Sequence, residues 1–346
     1  MMLMKRTAFA LALTLTILMS SVIIVHPVKS TPRTIIVPDN FPTIPEAVRN
    51  ATAGDTVYVR AGNYTIPSTW FTYQLEIPNS VSLIGENPKN TVIETDQVFS
   101  ALGWNYGIGI GDDSSISGFT ITGDYSVIFL LGNGRITNNI INLTASGSSA
   151  IRAVSGSISS NIINGGREGM GIQNPVGGLV GGNMGIATGI ASNTTISNNI
   201  INGFGSGIWV ESGSMITNNT LTNNYLALAV SGTPALLQEN NILNSTAYGL
   251  YAMANVNASY NWWGTNDAST VSSSVTTGKH TANVTFTPFL TEPNSQAVPV
   301  ERDFAPPVLP SSALDVPYWA VAVVTVLVTA AIIGIGLLVY LKIRKR

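Results

Sequence analysis

Apolar and polar positions alternate over short stretches in the middle of the chain, and these stretches recur at a regular distance. The stretch Ile136-Thr-Asn-Asn-Ile-Ile-Asn142 is one copy of the pattern. Further copies begin at Ile116, Ile158, Ile196, Ile216 and Leu237, so that successive starts lie 20, 22, 38, 20 and 21 residues apart. Alternation with period two predicts half-buried β-strands. A repeat of this length with Gly and Asn turns predicts a β-solenoid, in which each strand pairs with its copy in the next coil.

A second series of strands follows the same repeat and indicates where residues are inserted. Its inward apolar positions are Ile128, Ile151, Ile172, Ile208, Leu228 and Leu250. In both series the spacing between successive strands increases at the same place in the chain. This predicts an expanded loop around Pro175–Ser192. Leucine-rich repeats share this period, but their leucine framework and helical half are missing from the sequence, so we interpret the domain as all-β. About nine or ten coils fit the repetitive part of the chain.

Residues 43–52 predict a helical cap. A solenoid needs one because its first coil otherwise exposes its core and its unpaired strand edges. Thr43 suits the N-cap and Glu46 follows three residues later, which is the capping-box pattern. Apolar residues between and after them recur at helical spacing. Thr56–Val59 then begins the first predicted strand.

Both ends of the chain are apolar and predict export and membrane anchoring. Lys5 and Arg6 precede an apolar run, as in a secretory signal peptide, and an uncleaved anchor is the alternative. Trp319–Leu341 carries no charge and, as a helix, is about 34 Å long, which is enough to cross a bilayer. The basic residues after it face the cytoplasm by the positive-inside rule.

This order of segments predicts a single-pass protein of the cell membrane with an extracellular N-terminal domain and a short cytoplasmic tail. The predicted segments are a signal peptide at 1–30, a repeat domain at 31–291, a Pro-rich linker at 292–317, a transmembrane helix at 318–341 and a basic tail at 342–346. Proline-rich linkers are stiff and extended, so the linker is expected to hold the domain away from the lipid.

The repeat domain is acidic and lacks cysteine. Residues 31–317 contain nine Lys or Arg against eighteen Asp or Glu, a net charge of −9. An acidic surface without basic runs repels a phosphate backbone, which argues against nucleic acid as a partner. The chain has no Cys, and His280 is the only histidine of the predicted outer domain. The sequence therefore predicts no cofactor and no metal site.

The cap, the repeats and the exit from the repeats resemble one known family. The similar stretches are Ile35–Val48 with Gly54–Tyr64, Val81–Gly85 with Thr91–Ile93, and Asn261–Gly264 with Val284–Leu290. They resemble right-handed parallel β-helix proteins of the pectin-lyase-like type, in particular archaeal surface proteins with NosD-like repeats of the PbH1 type. The resemblance covers about residues 34–291 and implies a right-handed parallel β-helix.

The resemblance leaves the function open, because this fold hosts lyases, hydrolases, epimerases, adhesins and accessory proteins. The first hypothesis is a non-catalytic module that binds a polysaccharide or surface glycan or contributes to the cell envelope, and the sparse charge of the domain favours it. The alternative is a polysaccharide lyase or a glycoside hydrolase. NosD-like repeats also imply a copper accessory role, against which the ligand-poor composition argues.

An enzyme of this family would need charged groups in one place. Its lyases use aspartates that bind calcium and an arginine base, and the repeat register places no such cluster in this chain. A glycosidase needs two carboxylates at a separation set by its mechanism. The acidic candidates for such a pair are Asp112, Asp113, Asp124, Glu168, Glu211 and Glu239. Convergence of two of them in one groove would favour an enzyme.

The second strand series predicts a groove for a glycan. In each strand the residue after the inward position faces outward, and the residue before that inward position is small and also expected to face outward. The larger outward residues expected to contact a ligand are Phe129, Arg152, Gln173, Trp209 and Tyr251. Aromatic rings and a guanidinium suit stacking on pyranose rings, and an amide suits their hydroxyls. The alternative is that the inserted loop covers this row and that the side chains only pack.

Asparagine recurs at one position of the coil, namely at Asn139, Asn161, Asn199, Asn219 and Asn240. We interpret these residues as a structural ladder rather than a binding stripe, because Asn tolerates left-handed turns and its amide bonds to copies above and below. Trp262 and Trp263 are expected to close the end of the solenoid, with stacking on sugar as the alternative. Candidate N-glycosylation sequons begin at Asn50, Asn63, Asn142, Asn193, Asn218, Asn244, Asn257 and Asn283.

Overall fold

A computed structural model describes most of the predicted repeat domain. The described residues are 31–67, 73–95, 106–124, 127–144, 149–166, 172–173, 179–180, 183–211, 213–278 and 282–299. The predicted signal peptide, transmembrane helix and cytoplasmic tail lie outside these ranges. Among the residues that the structure describes, no helix is long and apolar enough to cross a bilayer.

The described chain is mostly β-structure, with two short helices, α1 (Ile44–Arg49) and α2 (Ala268–Ser273). The first strands are β1 (Thr34–Val37), β2 (Thr56–Val59), β3 (Gly62–Ile66), β4 (Tyr73–Ile77), β5 (Ser82–Gly85), β6 (Thr91–Thr95), β7 (Tyr106–Ile110), β8 (Ser115–Ser117), β9 (Thr120–Gly123), β10 (Ile128–Leu130), β11 (Arg135–Thr137), β12 (Ile140–Leu143), β13 (Ser149–Ser159) and β14 (Ile162–Gly165). The remaining strands are β15 (Ile172–Gln173), β16 (Leu179–Val180), β17 (Met184–Ser197), β18 (Ile200–Asn202), β19 (Ser206–Val210), β20 (Met215–Thr217), β21 (Thr220–Thr222), β22 (Leu226–Val230), β23 (Leu236–Gln238), β24 (Asn241–Leu243), β25 (Tyr248–Ala252), β26 (Val256–Asn257), β27 (Val275–Thr277) and β28 (Val284–Thr285).

Strands of successive coils stack in parallel into three columns. The first column contains β1, β2, β5, β8, β11, the second halves of β13 and β17, β20 and β23. The second contains β3, β6, β9, β12, β14, β18, β21 and β24. The third contains β4, β7, β10, the first halves of β13 and β17, β19, β22, β25 and β27. The predicted repetitive, parallel β-architecture is confirmed, and it is consistent with a β-solenoid.

Inward side chains that stack on their own copies build the core. In the first column these are Ile116, Ile136, Ile158, Ile196 and Ile216, all fully buried. Burying one such side chain stabilises the fold by roughly 1.5–3 kcal/mol. That gain requires the neighbouring coils, because a single coil cannot cover its own apolar face.

Helix α1 forms the predicted cap. The backbone N–H of Glu46 donates to the hydroxyl of Thr43 at 3.3 Å, and the buried face of the helix closes the first coils. The first strand, however, is β1 and not β2, since the alternating Thr34–Val37 pairs with β2 ahead of the cap. Asn40 covers the free edge of β1: its side chain accepts from the N–H of Ile36, and its own N–H donates to the Ile36 carbonyl, both at 2.7 Å. Asn40 thus satisfies both backbone groups of Ile36 at this edge.

The inserted segment lies earlier in the chain than Pro175–Ser192. Ile186 of β17 stacks between Ile151 and Ile208, so β17 and not Ile172 supplies the third-column strand of this coil. Ile172–Gln173 instead forms a small antiparallel hairpin with β16. The sequence signal was ambiguous because Gly-Ile-Gln and Gly-Ile-Ala present the same small-apolar-variable pattern; only β17 runs on without a break into the first-column strand that follows.

The chain beyond β28 stays bound to the coils. Asn294 exchanges hydrogen bonds with the side chain of Asn241, its N–H donating at 2.8 Å and its carbonyl accepting at 2.9 Å. Thr220 donates to the carbonyl of Ala297 at 2.6 Å, and Asn198 donates to the carbonyl of Val298 at 3.3 Å. We call residues 294–298 the C-terminal strap. The linker predicted from 292 therefore begins with residues that belong to the β-domain.

Candidate functional site

The third column carries the predicted row of outward side chains, but one residue of the row differs from the expected one. Phe129 lies beside Arg152 in the next coil. Ala187 then occupies the place expected for Gln173, between Arg152 and Trp209. Phe129 and Trp209 are half-buried and Arg152 is exposed. The expectation that Gln173 belongs to this row is wrong, because its strand pairs with β16 outside the stack.

Tyr251 belongs to the row but is largely covered. Only 8% of it is exposed, and it forms a separate apolar cluster with fully buried Leu226 and Ala229, against which Trp209 packs. The small side chain of Ala229 lies between the two large rings, one in each neighbouring coil. Ala229 fills the space between the rings. The burial of Tyr251 therefore favours a packing role over an exposed ring that stacks on a sugar.

The predicted groove beside this row is not formed. The groove was expected to run along the small residues that precede the inward residue of each third-column strand. These small residues include Val127, Ala150 and Ala227. These residues are fully buried in the main core together with their neighbours Ile128, Ile151 and Leu228. At Gly249 an added Cβ would lie 3.1 Å from the ring of buried Trp263. Two consecutive residues are thus buried in the core where each of these strands enters the third column, and strict alternation fails.

Phe129 has an aromatic partner that the sequence did not indicate. Its ring centroid lies 6.1 Å from that of Tyr73, with the planes inclined by 35°. Tyr73 covers the backbone of Gly109 so closely that a Cβ there would lie 2.7 Å from the ring. Gly109 lies between Glu76 and Phe129 in the stack. The missing side chain at Gly109 therefore creates the space that brings the two rings together.

A polar cavity opens at the edge between the second and third columns. Its volume is about 440 Å³. Its lining residues are Thr65, Glu94, Thr95, Thr122, Gly123, Asp124 and Thr144. Thr65, Glu94 and Thr122 are direct neighbours in three successive coils, so the sheet itself fixes their spacing.

Hydrogen bonds within the cavity orient two of its hydroxyl groups. Thr144 donates to the carboxylate of Asp124 and lies 3.1 Å from the carbonyl of Gly123. Thr95 donates to the carbonyl of Thr122 at 3.2 Å. The lining thus combines hydroxyl groups, which donate and accept, with two carboxylates, which only accept when ionised. None of the described residues that line it is basic.

Two carboxylates line this cavity, and the sequence pointed to only one of them. Asp124 was among the six acidic candidates, whereas Glu94 was not. The register of the strands could have identified Glu94. It is the outward residue of β6 that pairs with Thr122, and Thr122 lies two positions before Asp124. The other described candidates lie elsewhere. Asp112 and Asp113 occupy a turn after β7, where Asp112 accepts from the N–H of Asn133 at 3.0 Å.

The last two described acidic candidates are also remote from the cavity. Glu211 follows β19, four coils after Glu94 and three coils after Asp124, and Glu239 lies in the turn between β23 and β24 with a φ of 61°. Glu168 lies outside the described residues. Within the described ranges, no three His, Cys, Asp or Glu side chains are close enough together to hold a metal ion.

The recurrent asparagines form a structural ladder, as predicted. The N–H of Asn139 donates to Oδ1 of Asn161 at 3.0 Å, and the same bond continues coil by coil to Asn261. The expected left-handed backbone belongs to the preceding residue instead, for example Asn138 with a φ of 56°. Trp263 is buried in the main core near the end of the stack, which favours the end-packing interpretation.

The predicted glycosylation asparagines differ in accessibility. Six are exposed, namely Asn50, Asn63, Asn193, Asn244, Asn257 and Asn283. Asn142 and Asn218 are half-buried, and their Oδ1 atoms accept from Asn164 at 3.0 Å and from Asn294 at 2.9 Å. Modification at these sequons stays a prediction.

Comparison with known proteins adds no assignment. No family model, no curated protein and no solved structure matches this chain.

Proposed function

We propose that this chain is an exported surface protein, anchored by a transmembrane helix at 318–341, whose right-handed parallel β-helix binds a glycan without catalysing a reaction. The similarity of its cap, repeats and exit to pectin-lyase-like surface proteins with NosD-like repeats supports the fold assignment. The two apolar ends of the sequence support export and anchoring.

The polar cavity supports glycan binding more than any other feature does. It presents threonine hydroxyls and the carboxylates of Glu94 and Asp124 at the ends of the second-column strands. Sugar hydroxyls both donate and accept, so a lining that offers both kinds of partner suits them. The aromatic pair of Tyr73 and Phe129 lies on the third-column face of the same coils and could stack on an adjoining sugar ring.

The charge of the cavity selects the kind of glycan. Two carboxylates, with no basic side chain among the described lining residues, repel an acidic polysaccharide, as does the net charge of the domain. A neutral oligosaccharide is therefore the expected ligand. The same charge pattern disfavours a lyase, which needs cationic groups near an acidic substrate.

Titration of the full-length protein with a set of neutral oligosaccharides tests the proposal. We expect saturable binding that falls about tenfold or more in Glu94→Gln and Asp124→Asn, because each loses a charge-assisted hydrogen bond. Glu211→Gln, at least three coils from both carboxylates, serves as the matched control and should bind as the wild type does. Absence of binding to every oligosaccharide, or equal affinity in Glu94→Gln and Glu211→Gln, would refute the proposed site.

A glycoside hydrolase is the second candidate, and the shared cavity of Glu94 and Asp124 is the observation that favours it. One carboxyl would donate a proton to the leaving oxygen and the other would activate water or attack the sugar. Release of reducing ends from a bound oligosaccharide, abolished in Asp124→Asn but not in Glu211→Gln, would establish this alternative. Binding without turnover would exclude it.

A further inference from the structure

A row of uncharged polar side chains continues from the polar cavity along the second column. Thr122 lines the cavity and pairs with Asn142 of the next coil. Asn142 pairs with Asn164, and Asn164 pairs with Asn202. All four side chains are half-buried, and the register of the strands places each beside the next. We call Asn142, Asn164 and Asn202 the amide row.

The amide row keeps hydrogen-bonding groups that the fold does not use. Asn164 donates to Oδ1 of Asn142 at 3.0 Å, and Asn202 accepts from Asn223 at 3.0 Å. Within the described part of the chain, Nδ2 of Asn142 and of Asn202 donates to no acceptor, and Oδ1 of Asn164 accepts from no donor. A carboxamide has two donor hydrogens and two acceptor lone pairs. The row therefore offers both kinds of partner to a ligand.

An aliphatic row lies beside the amide row on the same outward face. Its residues are Ile140, Ile162 and Ile200, each two positions before an asparagine of the amide row. They are half-buried and stack in register from coil to coil. The face thus joins a polar strip to an apolar strip, and neither strip carries a charge.

The segments that cross the second column bond at the far side of the aliphatic row. Thr120, the first residue of β9, donates to the carbonyl of Pro88 at 2.6 Å. The C-terminal strap accepts from the turn residue Asn198 through two carbonyls, at 2.8 and 3.3 Å, and from Thr220, the first residue of β21, at 2.6 Å. The amide row lies at the opposite end of the strands. The described crossing segments therefore flank the face and make no bond to the amide row.

Building on the proposed glycan function, we propose that the cavity is one end of an elongated site for a linear neutral polysaccharide that lies along the stack of coils. The hydroxyl edge of an extended chain with equatorial hydroxyls bonds to Glu94, Thr122 and the amide row, while the C–H faces of its rings pack on the aliphatic row. From Glu94 to Asn202 the site covers four strand spacings, roughly 19 Å. Polar groups recur at each coil, which suits a polymer of repeated units.

Oligosaccharides of two lengths test the elongated site. The probes are the disaccharide and the hexasaccharide of β-1,4-linked glucose, titrated into full-length protein made without N-glycans, because a glycan on Asn142 would occupy the row. The hexasaccharide should bind at least about tenfold more tightly, since only the longer chain reaches the amide row. The hexasaccharide of α-1,4-linked glucose, which coils instead of extending, should gain no more than about twofold over its disaccharide.

Asn164→Ala tests the amide row itself. The variant should bind the β-linked hexasaccharide about tenfold more weakly and the disaccharide unchanged, because the disaccharide stays in the cavity. Its unfolding midpoint should match the wild type, since Asn164 is half-buried and its side chain makes one bond. Ser157→Ala, at an outward position of the same coil in the first column, is the control and should change neither affinity.

Three results would overturn the elongated site: equal affinity for both lengths, wild-type affinity for the hexasaccharide in Asn164→Ala, or an equal loss for both lengths in that variant. If disaccharide binding still falls in Glu94→Gln, the cavity remains a glycan site and only its extension is wrong. Absence of binding at either length, for these and all other neutral oligosaccharides, would refute the glycan function itself.

Discussion

The side-chain amide of Asn199 donates to Oδ1 of Asn219, one coil further along, at 2.9 Å. The same amide also donates to the carbonyl of Ile158 in the preceding coil and to that of Ser197 in its own coil. One buried side chain therefore connects three coils. Since each ladder residue repeats this set of bonds, the ladder ties adjacent coils at a corner where the backbone turns and strand pairing is interrupted.

Asn199→Leu should destabilise the protein strongly. The change keeps the number and branching of the side-chain heavy atoms. It leaves the backbone N–H of Asn161 without its acceptor and removes the bonds that the Asn199 amide donates to Ile158, Ser197 and Asn219. Unpaired buried polar groups cost about 1–3 kcal/mol each. We expect a loss of at least about 3 kcal/mol in the free energy of unfolding by urea, or loss of soluble protein.

Asn202→Leu is the matched control for the ladder. Asn202 lies three residues further on, faces outward and accepts one bond from exposed Asn223. Its replacement should change the free energy of unfolding by less than about 0.5 kcal/mol. If the two variants unfold at the same urea concentration, the ladder does not connect the coils as described.

The ladder and the core were predictable because both depend on register. A side chain that recurs every coil stacks on its own copy, so the identity of Ile116 or Asn139 in one coil predicts its partner in the next. The left-handed residue was assigned one place too late. Asn138 and Asn139 are the same residue type in sequence, and only the hydrogen bonds distinguish the turn residue from the ladder residue.

The candidate site was less predictable because it depends on departures from the repeat. Val127 is buried in the core directly before buried Ile128, and an alternating pattern does not encode two consecutive inward residues. The burial of Tyr251 follows from the small size of Ala229 between it and Trp209. Glu94 was missed because it joins Asp124 through neighbouring coils and not through proximity in sequence.

Gly118→Asn should be destabilising although asparagine is the residue found at this turn in other coils. Gly118 has a φ of 82°, and Asn138 and Asn198 take the equivalent left-handed position later. At Gly118, however, an added Cβ would collide with the carbonyl oxygen of Gly85 in the preceding coil. Overpacking against backbone costs about 1–3 kcal/mol.

The reverse change at the next coil provides the comparison. Asn138→Gly keeps the backbone conformation available and should alter the free energy of unfolding by less than about 1 kcal/mol. Urea unfolding of both variants measures the difference. A Gly118→Asn protein as stable as Asn138→Gly would show that the two backbones can separate at no cost.

Acidification should loosen the N-terminal cap through Asp55. Burial raises the pKa of this carboxyl, but hydrogen bonds from Thr52 and Arg33 outweigh it, so the pKa lies below its ordinary value of 3.8. A carboxyl with a lowered pKa in the folded state stabilises the protein above the ordinary pKa and loses that contribution as the pH falls through the folded value. We expect amide protection in β1 and β2 to fall below about pH 4.

Asp55→Asn isolates this effect. The variant should be less stable at pH 7, because the Arg33 guanidinium 3.0 Å away loses its charged partner. The part of the acid sensitivity that comes from Asp55 should also disappear. Asp113→Asn, in an exposed turn, should follow the wild-type pH profile of amide exchange. Identical profiles for wild type and Asp55→Asn would show that another group controls the acid response.

Tyr251→Ala should reduce stability without affecting glycan binding. Tyr251 packs on Leu226 and Ala229 in a cluster that Trp209 completes, and its hydroxyl lies beside the backbone of Gly278. Removing a buried aromatic ring costs about 3 kcal/mol or more, because the cavity left behind collapses only in part. The proposed glycan cavity lies several coils away, so the two properties should separate. Urea unfolding and oligosaccharide titration of the same variant measure both, with Met215→Ala on the exposed first-column face as the control. Weaker glycan binding in Tyr251→Ala at an unchanged unfolding midpoint would mean that the ring contacts the ligand, and would move the binding site from the cavity at Glu94 to the third-column row.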